Sequence, residues 1–165
     1  MKTEDLRSIQ APLKALYKEK PGAAFITLEA SGSLGEGVTC KIETGKALVE
    51  AGLHPATGGT GLNVCSGDLL LEALVACAGV TMNAVATAIG LEIRSGSVYA
   101  EGDLDFRGTL GVSRDVPVGL QRIRLRFELD CDATEDQLAT LLRLTERYCV
   151  VFQTLSHPPE MEISL

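Results

Sequence analysis

The stretch from Asp68 to Ile89 constrains the fold more than any other part of this 165-residue chain. It is too long for a strand, and Asp68 and Glu72 are its only charged residues. A helix that is apolar on nearly every face must be surrounded on nearly every face. We therefore predict a central helix of the domain, or a helix that a second subunit buries further. A thiol, Cys77, lies in its middle.

The same stretch is long enough to be tested as a membrane span. Glu72 and Asn83 lie inside it, no basic residues flank it, and it lacks a Trp/Tyr belt. We therefore expect no membrane span. Lys and Arg number 15 against 22 Asp and Glu, so the net charge is −7. Without a basic cluster, this charge argues against nucleic acid and anionic membranes as partners.

The cysteine usage and the N-terminus bear on the compartment. The N-terminus shows no apolar core followed by a cleavage site, so we expect no secretory signal. The five cysteines are odd in number and irregularly spaced: Cys40, Cys65, Cys77, Cys131 and Cys149. These features predict a cytoplasmic protein with reduced thiols.

The order of elements predicts an α+β fold with antiparallel sheets and two central helices. Residues 1–21 form a helical arm and residues 22–165 form the domain. Within the domain, the pattern predicts a three-stranded meander over 23–51, with Ser31-Gly32-Ser33 as a turn, then a loop whose Ser66 caps the central helix. A strand over 92–107 that includes Phe106 and a strand around 122–129 follow. A capping box at Thr134 starts a second helix to about Leu155, and Met161 to Leu165 alternate as a closing strand.

Several familiar sites are disfavoured by their spacing. The Gly-rich loop at 52–67 lacks the third glycine of a dinucleotide fingerprint and the Gly-Lys-Ser/Thr of a P-loop. The alternating Arg122, Arg124 and Arg126 indicate a solvated sheet face rather than a polyanion site. No Cys-x-x-Cys is present, so we expect no zinc or other metal.

Cys77 and Cys149 occupy matching places on the two predicted helices. If both helices pack on the sheet, the two thiols can come within bridging distance and carry out dithiol–disulfide chemistry. The alternative is that both are small, inert core residues, as buried cysteines often are. A Cys–His hydrolase is a more distant hypothesis, because His54 and His157 both flank proline and nothing marks either as a base.

Two motifs resemble those of the OsmC/Ohr family. The run from Cys65 to Cys77, CSGDLLLEALVAC, is similar to the start of the family's central helix with its cysteine. The run from Glu146 to Val151, ERYCVV, resembles the second cysteine motif. The order of strands and helices matches as well, over roughly residues 22–165.

The resemblance implies an intertwined homodimer with active sites at the subunit interface and an organic hydroperoxide as substrate. It makes Cys77 the peroxidatic thiol and Cys149 the resolving thiol, with an external dithiol as reductant and no cofactor. The alternative within this fold is a non-catalytic dimer that binds a small apolar or thiol-bearing ligand.

The likeness is to the more divergent OsmC-like branch. In the Ohr branch an arginine from the N-terminal strands, held by a glutamate, lowers the thiol pKa. Residues 21–50 contain no Arg here, and Gly67 stands at the glutamate position. Either another cation, such as one from the partner subunit, activates Cys77, or peroxidase activity is weak.

Overall fold

The computed structural model describes residues 2–5, 8, 10–11, 19, 31–34, 39–43, 48–111 and 113–165, the backbone alone for 31–34, 39–43 and 48. The strands are β1 (Ser31–Leu34), β2 (Thr39–Glu43), β3 (Leu48–Gly52), β4 (Val64–Cys65), β5 (Ser95–Asp103) and β6 (Arg122–Asp130). The helices are α1 (Ser66–Ile89), α2 (Phe106–Thr109), α3 (Glu135–Tyr148) and α4 (Val150–Ser156), with a 3₁₀ turn at Pro55–Thr57.

The chain divides into two compact units. Unit 1 contains Met1–Ile26, Ala73–Tyr99 and Arg126–Leu165. Unit 2 contains Thr27–Glu72 and Ala100–Leu125. The candidate site described below lies wholly in unit 1.

Unit 2 holds a four-stranded sheet in the order β1-β2-β3-β4. Strands β1, β2 and β3 form an antiparallel meander, and β4 adds a short parallel pair beside β3. Strands β2 and β3 match the second and third predicted strands, whereas the predicted turn at Ser31-Gly32-Ser33 is wrong, because these residues pair with β2 as strand β1. Local turn propensity is overridden here by the hydrogen bonds of the neighbouring strand. The first strand of the predicted meander, before this turn, lies outside the described residues.

Strands β5 and β6 pair in a second, two-stranded sheet. In β6 the alternation of apolar and arginine residues is confirmed, since Arg122 and Arg126 are exposed whereas Phe127 and Leu129 are partly buried. Phe106 does not extend β5 as predicted. It begins α2 instead, because the Asp105 side chain accepts from the Arg107 N–H and caps a helical turn.

Helix α1 is the central helix predicted from the sequence. It starts at Ser66 itself, so the prediction that Ser66 is the cap is displaced by one residue. Gly90 ends it with φ +74°, a left-handed conformation that favours glycine. By length and composition α1 could also cross a membrane, and 28% of its most apolar window is buried.

A small apolar core joins α1 to α3 in unit 1. Met82, Val85 and Ala86 of α1 pack with Leu141 of α3, which is fully buried. Partly buried side chains surround this core: Leu91, Ile93, Phe127, Leu129 and Leu144. Burial of such side chains is the main stabilising contribution to the unit.

The N-terminal arm is described only in part. Residues 3–5, 8, 10–11 and 19 are helical, as predicted, and the remaining arm residues lie outside the described ones. The Thr3 hydroxyl donates to the Thr87 carbonyl oxygen at 2.9 Å, which joins the start of the arm to the last turn of α1.

The C-terminal third differs most from the prediction. The capping box at Thr134 is confirmed, with Gln137 as its reciprocal partner. The single helix to Leu155 is wrong, because the chain breaks at Cys149 between α3 and α4. The closing strand is also wrong: Met161 and Ile163 are exposed and irregular, and alternation without a partner strand does not make a sheet.

Candidate active site

Cys77 lies at the border between two faces of α1. On one side, Leu74 and Ala78 are buried in the unit, and on the other side Ala76 and Val80 are exposed. The Cys77 side chain is itself partly exposed, because its position on the helix lies between these two faces. A small solute can therefore reach this sulfur from the exposed face.

Cys149 lies at the break between α3 and α4 and is only 1% exposed. Its backbone is extended, with φ −73° and ψ 107°, between two helical segments. Its N–H donates to the Thr145 carbonyl at 2.9 Å and so ends α3. Its carbonyl accepts from the Gln153 N–H at 2.9 Å and so begins α4.

This break leaves three N–H groups, those of residues 150–152, at the start of α4 without carbonyl partners in the helix. The N–H groups of Val150 and Val151 lower the pKa of Cys77. Those of Val151 and Phe152 act in the same direction on the pKa of Cys149. Backbone donors thus lie near the two thiols, and both thiols are free.

The two thiols are neighbours, and their pKa values shift in opposite directions. Burial raises the pKa of Cys77, but the Val151 N–H, the Cys149 thiol, the Thr81 hydroxyl and the Val150 N–H outweigh it, so the pKa lies below its ordinary value. Burial also raises the pKa of Cys149, and the neighbouring Cys77 adds to the increase. Cys77 is therefore the more acidic thiol of the pair and Cys149 the less acidic one.

The structure brings together the two cysteines that sequence reasoning singled out, but sequence reasoning missed the groups around Cys77. Among the described residues, the groups that lower the pKa of Cys77 are neutral hydrogen-bond donors. The sequence had led us to expect a cation in this role. Thr81 could have been found, since residues four apart on a helix are neighbours. Val151 could not, because its role depends on a break that the sequence pattern does not indicate.

The other predicted candidates have separate roles. His54 accepts from the Ala56 N–H through Nδ1 at 3.0 Å and so caps the 3₁₀ turn at Pro55–Thr57. Its ring stacks on that of Phe106, with ring centroids 4.9 Å apart. Both contacts are structural. Cys65 ends β4 and Cys131 follows β6, both as free, partly buried thiols. The side chain of Cys40 lies outside the described residues.

Arg124 and Arg126 of β6 are paired with carboxylates of β5 and of β6 itself. Arg124 binds Asp103 at 2.5 Å and Glu101 at 3.0 Å. Arg126 lies over the ring of Tyr99 and pairs with Glu128. This is the exposed, solvated sheet face that the alternation indicated, with its positive charge offset by neighbouring carboxylates.

Comparison with known proteins identifies the group to which the chain belongs. The model of the family described as "OsmC-like protein" matches residues 59–164, which is well over half of the chain. The chain belongs to the OsmC-like family. The match includes both Cys77 and Cys149. Among curated proteins, no relative matches the sequence.

Solved structures of OsmC-like proteins share the fold. An OsmC-like protein from Mycoplasma pneumoniae is 18% identical, with a TM-score of 0.68 over 81% of this chain and 89% of that one. An organic hydroperoxide resistance protein from Elizabethkingia anophelis is 16% identical, with a TM-score of 0.65 over 81% and 91%. An OsmC-like protein of unknown function from Vibrio cholerae is 16% identical, with a TM-score of 0.61 over 78% and 94%. At these identities the likeness establishes the fold.

Proposed function

We propose that this OsmC-like protein is a thiol-dependent peroxidase that reduces organic hydroperoxides. The observation that carries the proposal is the pair of free thiols at the α3–α4 break, one with a lowered pKa and one with a raised pKa. Family membership supports it, since a structural neighbour is named an organic hydroperoxide resistance protein.

The first step is attack of the Cys77 thiolate on the terminal oxygen of the hydroperoxide. An S–O bond forms, the O–O bond breaks, and the alkoxide leaves as the alcohol after it takes a proton. Cys77 becomes a sulfenic acid, oxidised by two electrons, and the hydroperoxide is reduced by two. The lowered pKa favours this step because the thiolate is the nucleophile.

The second step joins the two sulfurs. The Cys149 sulfur attacks the Cys77 sulfenic sulfur, a disulfide forms, and the hydroxyl leaves as water with the Cys149 proton. An external dithiol then reduces the Cys77–Cys149 disulfide and becomes a disulfide itself. Burial of Cys149 and partial exposure of Cys77 match this order, because the hydroperoxide reaches Cys77 first.

The surroundings of the pair favour an alkyl hydroperoxide over hydrogen peroxide. Tyr148 and Val150 flank Cys149 and are 58% and 66% exposed. Val80, one turn from Cys77 on α1, is 72% exposed. Apolar groups around a polar reacting atom are typical of a site for an amphipathic small molecule.

The exposed apolar face of α1 supports a homodimer. Ala73, Ala76 and Val80 are exposed at helical spacing on the longest helix of the chain. Exposed apolar surface of this kind marks an interaction site in soluble proteins. A second copy seated on this face would border Cys77, so the site would lie at the subunit interface. The net charge of −7 and the free thiols suit the cytoplasm.

The test is consumption of cumene hydroperoxide with dithiothreitol or dihydrolipoamide as reductant. We expect Cys77→Ser to abolish turnover. In Cys149→Ser, one equivalent of hydroperoxide should oxidise Cys77, and turnover through the disulfide should then be absent. Cys131→Ser is the matched control and keeps wild-type turnover. Full turnover in Cys77→Ser would contradict the proposal.

Peptide mapping after one equivalent of the hydroperoxide distinguishes the proposed peroxidase from the alternative function. A peroxidase gives a Cys77–Cys149 disulfide in the map. A non-catalytic dimer that binds a small apolar or thiol-bearing ligand leaves both thiols reduced and titratable.

A further inference from the structure

The break at Cys149 leaves the carbonyl of Glu146 in need of a donor. In an uninterrupted helix that oxygen accepts from the N–H four residues on, which is that of Val150. Here the donor is the side-chain amide of Gln153, whose Nε2 lies 2.8 Å from the Glu146 oxygen. The bond crosses the break and joins the last turn of α3 to the first turn of α4.

The Val150 N–H is thereby released to another acceptor. It contributes to the lowered pKa of Cys77, together with the N–H of Val151. The Glu146 oxygen and the Cys77 sulfur can both accept from this donor. The Gln153 amide already occupies the Glu146 oxygen, so that oxygen is the weaker competitor.

The local sequence does not force the break. Cys149, Val150 and Val151 include neither proline nor glycine, the residues that usually interrupt a helix. No side chain caps α4 at Cys149 either. Among the described residues, the Gln153–Glu146 bond is the side-chain hydrogen bond that spans the break.

We propose that Gln153 is a positioning residue: its amide occupies the Glu146 carbonyl and so keeps the backbone at Cys149 open toward the two thiols. This deepens the proposed peroxidase function and rests on it for its biological meaning. Gln153 is not among the groups that shift the pKa of either thiol, and it acts through the conformation of the break.

The first test replaces Gln153 with an apolar side chain of similar length. In Gln153→Met the Glu146 oxygen is free to take the Val150 N–H, which extends α3 and draws that donor away from Cys77. We expect the pH midpoint of Cys77 alkylation by iodoacetamide, followed by peptide mapping, to move upward. Each unit of upward movement lowers the thiolate fraction at neutral pH about tenfold, so we expect alkylation at pH 7 to slow by roughly three- to tenfold.

Two controls separate positioning from general stability. Gln153→Lys keeps an N–H donor of sufficient length and should stay near the wild-type midpoint. Gln121→Met alters a glutamine of unit 2 outside the site and should leave the midpoint unchanged. A wild-type midpoint in Gln153→Met, or equal shifts in Gln153→Met and Gln153→Lys, would overturn the proposal.

A second-site change tests the mechanism directly. Val150→Pro removes the competing N–H, and the extended Cys149 backbone at ψ 107° suits a residue before proline. In the Gln153→Met background it should restore part of the alkylation rate, because the break stays open without the amide and the Val151 N–H remains near the Cys77 sulfur, although the Val150 N–H is absent. If Gln153→Met alone folds poorly, the double variant can be measured in its place. Absence of rescue in the folded double variant would contradict the proposal.

The alkylation readout does not depend on peroxide turnover. If wild-type protein leaves cumene hydroperoxide unconsumed while the Gln153 variants shift the midpoint as expected, the proposed function fails and the positioning role stands. If turnover is present and the midpoints do not move, the positioning role fails alone.

Discussion

The Cys149 thiol lies beside the Cys77 sulfur within unit 1 and lowers the pKa of Cys77. The same proximity raises the pKa of Cys149, so Cys77 is the more acidic thiol of the pair. The more acidic thiol is the partly exposed one, and the less acidic thiol is buried. The thiol that a small solute can reach is therefore also the one that forms a thiolate more readily.

The first prediction concerns the pH dependence of Cys77. Its pKa lies below the ordinary value, partly through the Cys149 donor, so removal of that donor in Cys149→Ala should move the alkylation profile to higher pH. Cys149→Ser keeps an O–H donor and should move the profile less. The measurement is the iodoacetamide rate at Cys77 from pH 5 to 10. Equal profiles for the alanine and serine variants would show that the Cys149 donor has no effect.

The second prediction concerns Thr81, one turn beyond Cys77 on α1. Its hydroxyl also lowers the pKa of Cys77. Thr81→Val keeps the shape and loses the hydroxyl, so we expect slower alkylation at neutral pH and slower hydroperoxide consumption, by about two- to fivefold for a net hydrogen bond of about 0.5–1 kcal/mol. Thr87→Val is the matched control, since its hydroxyl bonds the Asn83 carbonyl at 2.8 Å. A similar loss of rate in the control would rule out a specific role for Thr81.

The third prediction concerns the hydroxyl of Thr145. This side chain is 2% exposed, and its Oγ1 has no hydrogen-bond partner among the described residues. Thr145→Val should raise the free energy of unfolding by about 1 kcal/mol, because a buried hydroxyl without a partner carries a desolvation cost.

Urea denaturation measures the effect of Thr145→Val, and Thr134→Val provides a comparison of opposite sign. Thr134 caps α3, so its loss should lower the free energy of unfolding by about 1 kcal/mol. A destabilised Thr145→Val would mean that the hydroxyl has a partner.

The fourth prediction concerns the exposed face of α1. A carboxylate at the centre of an apolar interface is costly, so Val80→Asp should convert the proposed dimer to a monomer in sedimentation velocity. Val118→Asp is the control, because Val118 is similarly exposed, at 61%, in unit 2. If Val80→Asp sediments as the wild type does, this face is not the interface.

The elements that depend on local pattern were predictable from the sequence. Helix α1 follows from a long apolar stretch ended by Gly90, and β6 from strict alternation between Arg122 and Leu129. The cap at Thr134 follows from a short local motif. In each case the information lies within a few neighbouring residues.

The break at Cys149 was not predictable, because the local residues do not force it. Residues 135–156 keep helical periodicity through the break, and the N–H groups that it releases act on a sulfur of α1, which is distant in the sequence. The activation of Cys77 was missed for the same reason. The expected donor was a charged side chain, whereas Val150 and Val151 supply backbone N–H groups that any residue but proline would carry.

The exposed face of α1 links the stability of the chain to its concentration. If a second copy covers Val80, folding and assembly form a single equilibrium, and the melting temperature rises with protein concentration by mass action. Cys77 lies at the border of that face, so dilution would also uncover the thiol. In dilute samples the protein would therefore unfold at a lower temperature and expose its reactive sulfur over the same range of concentration.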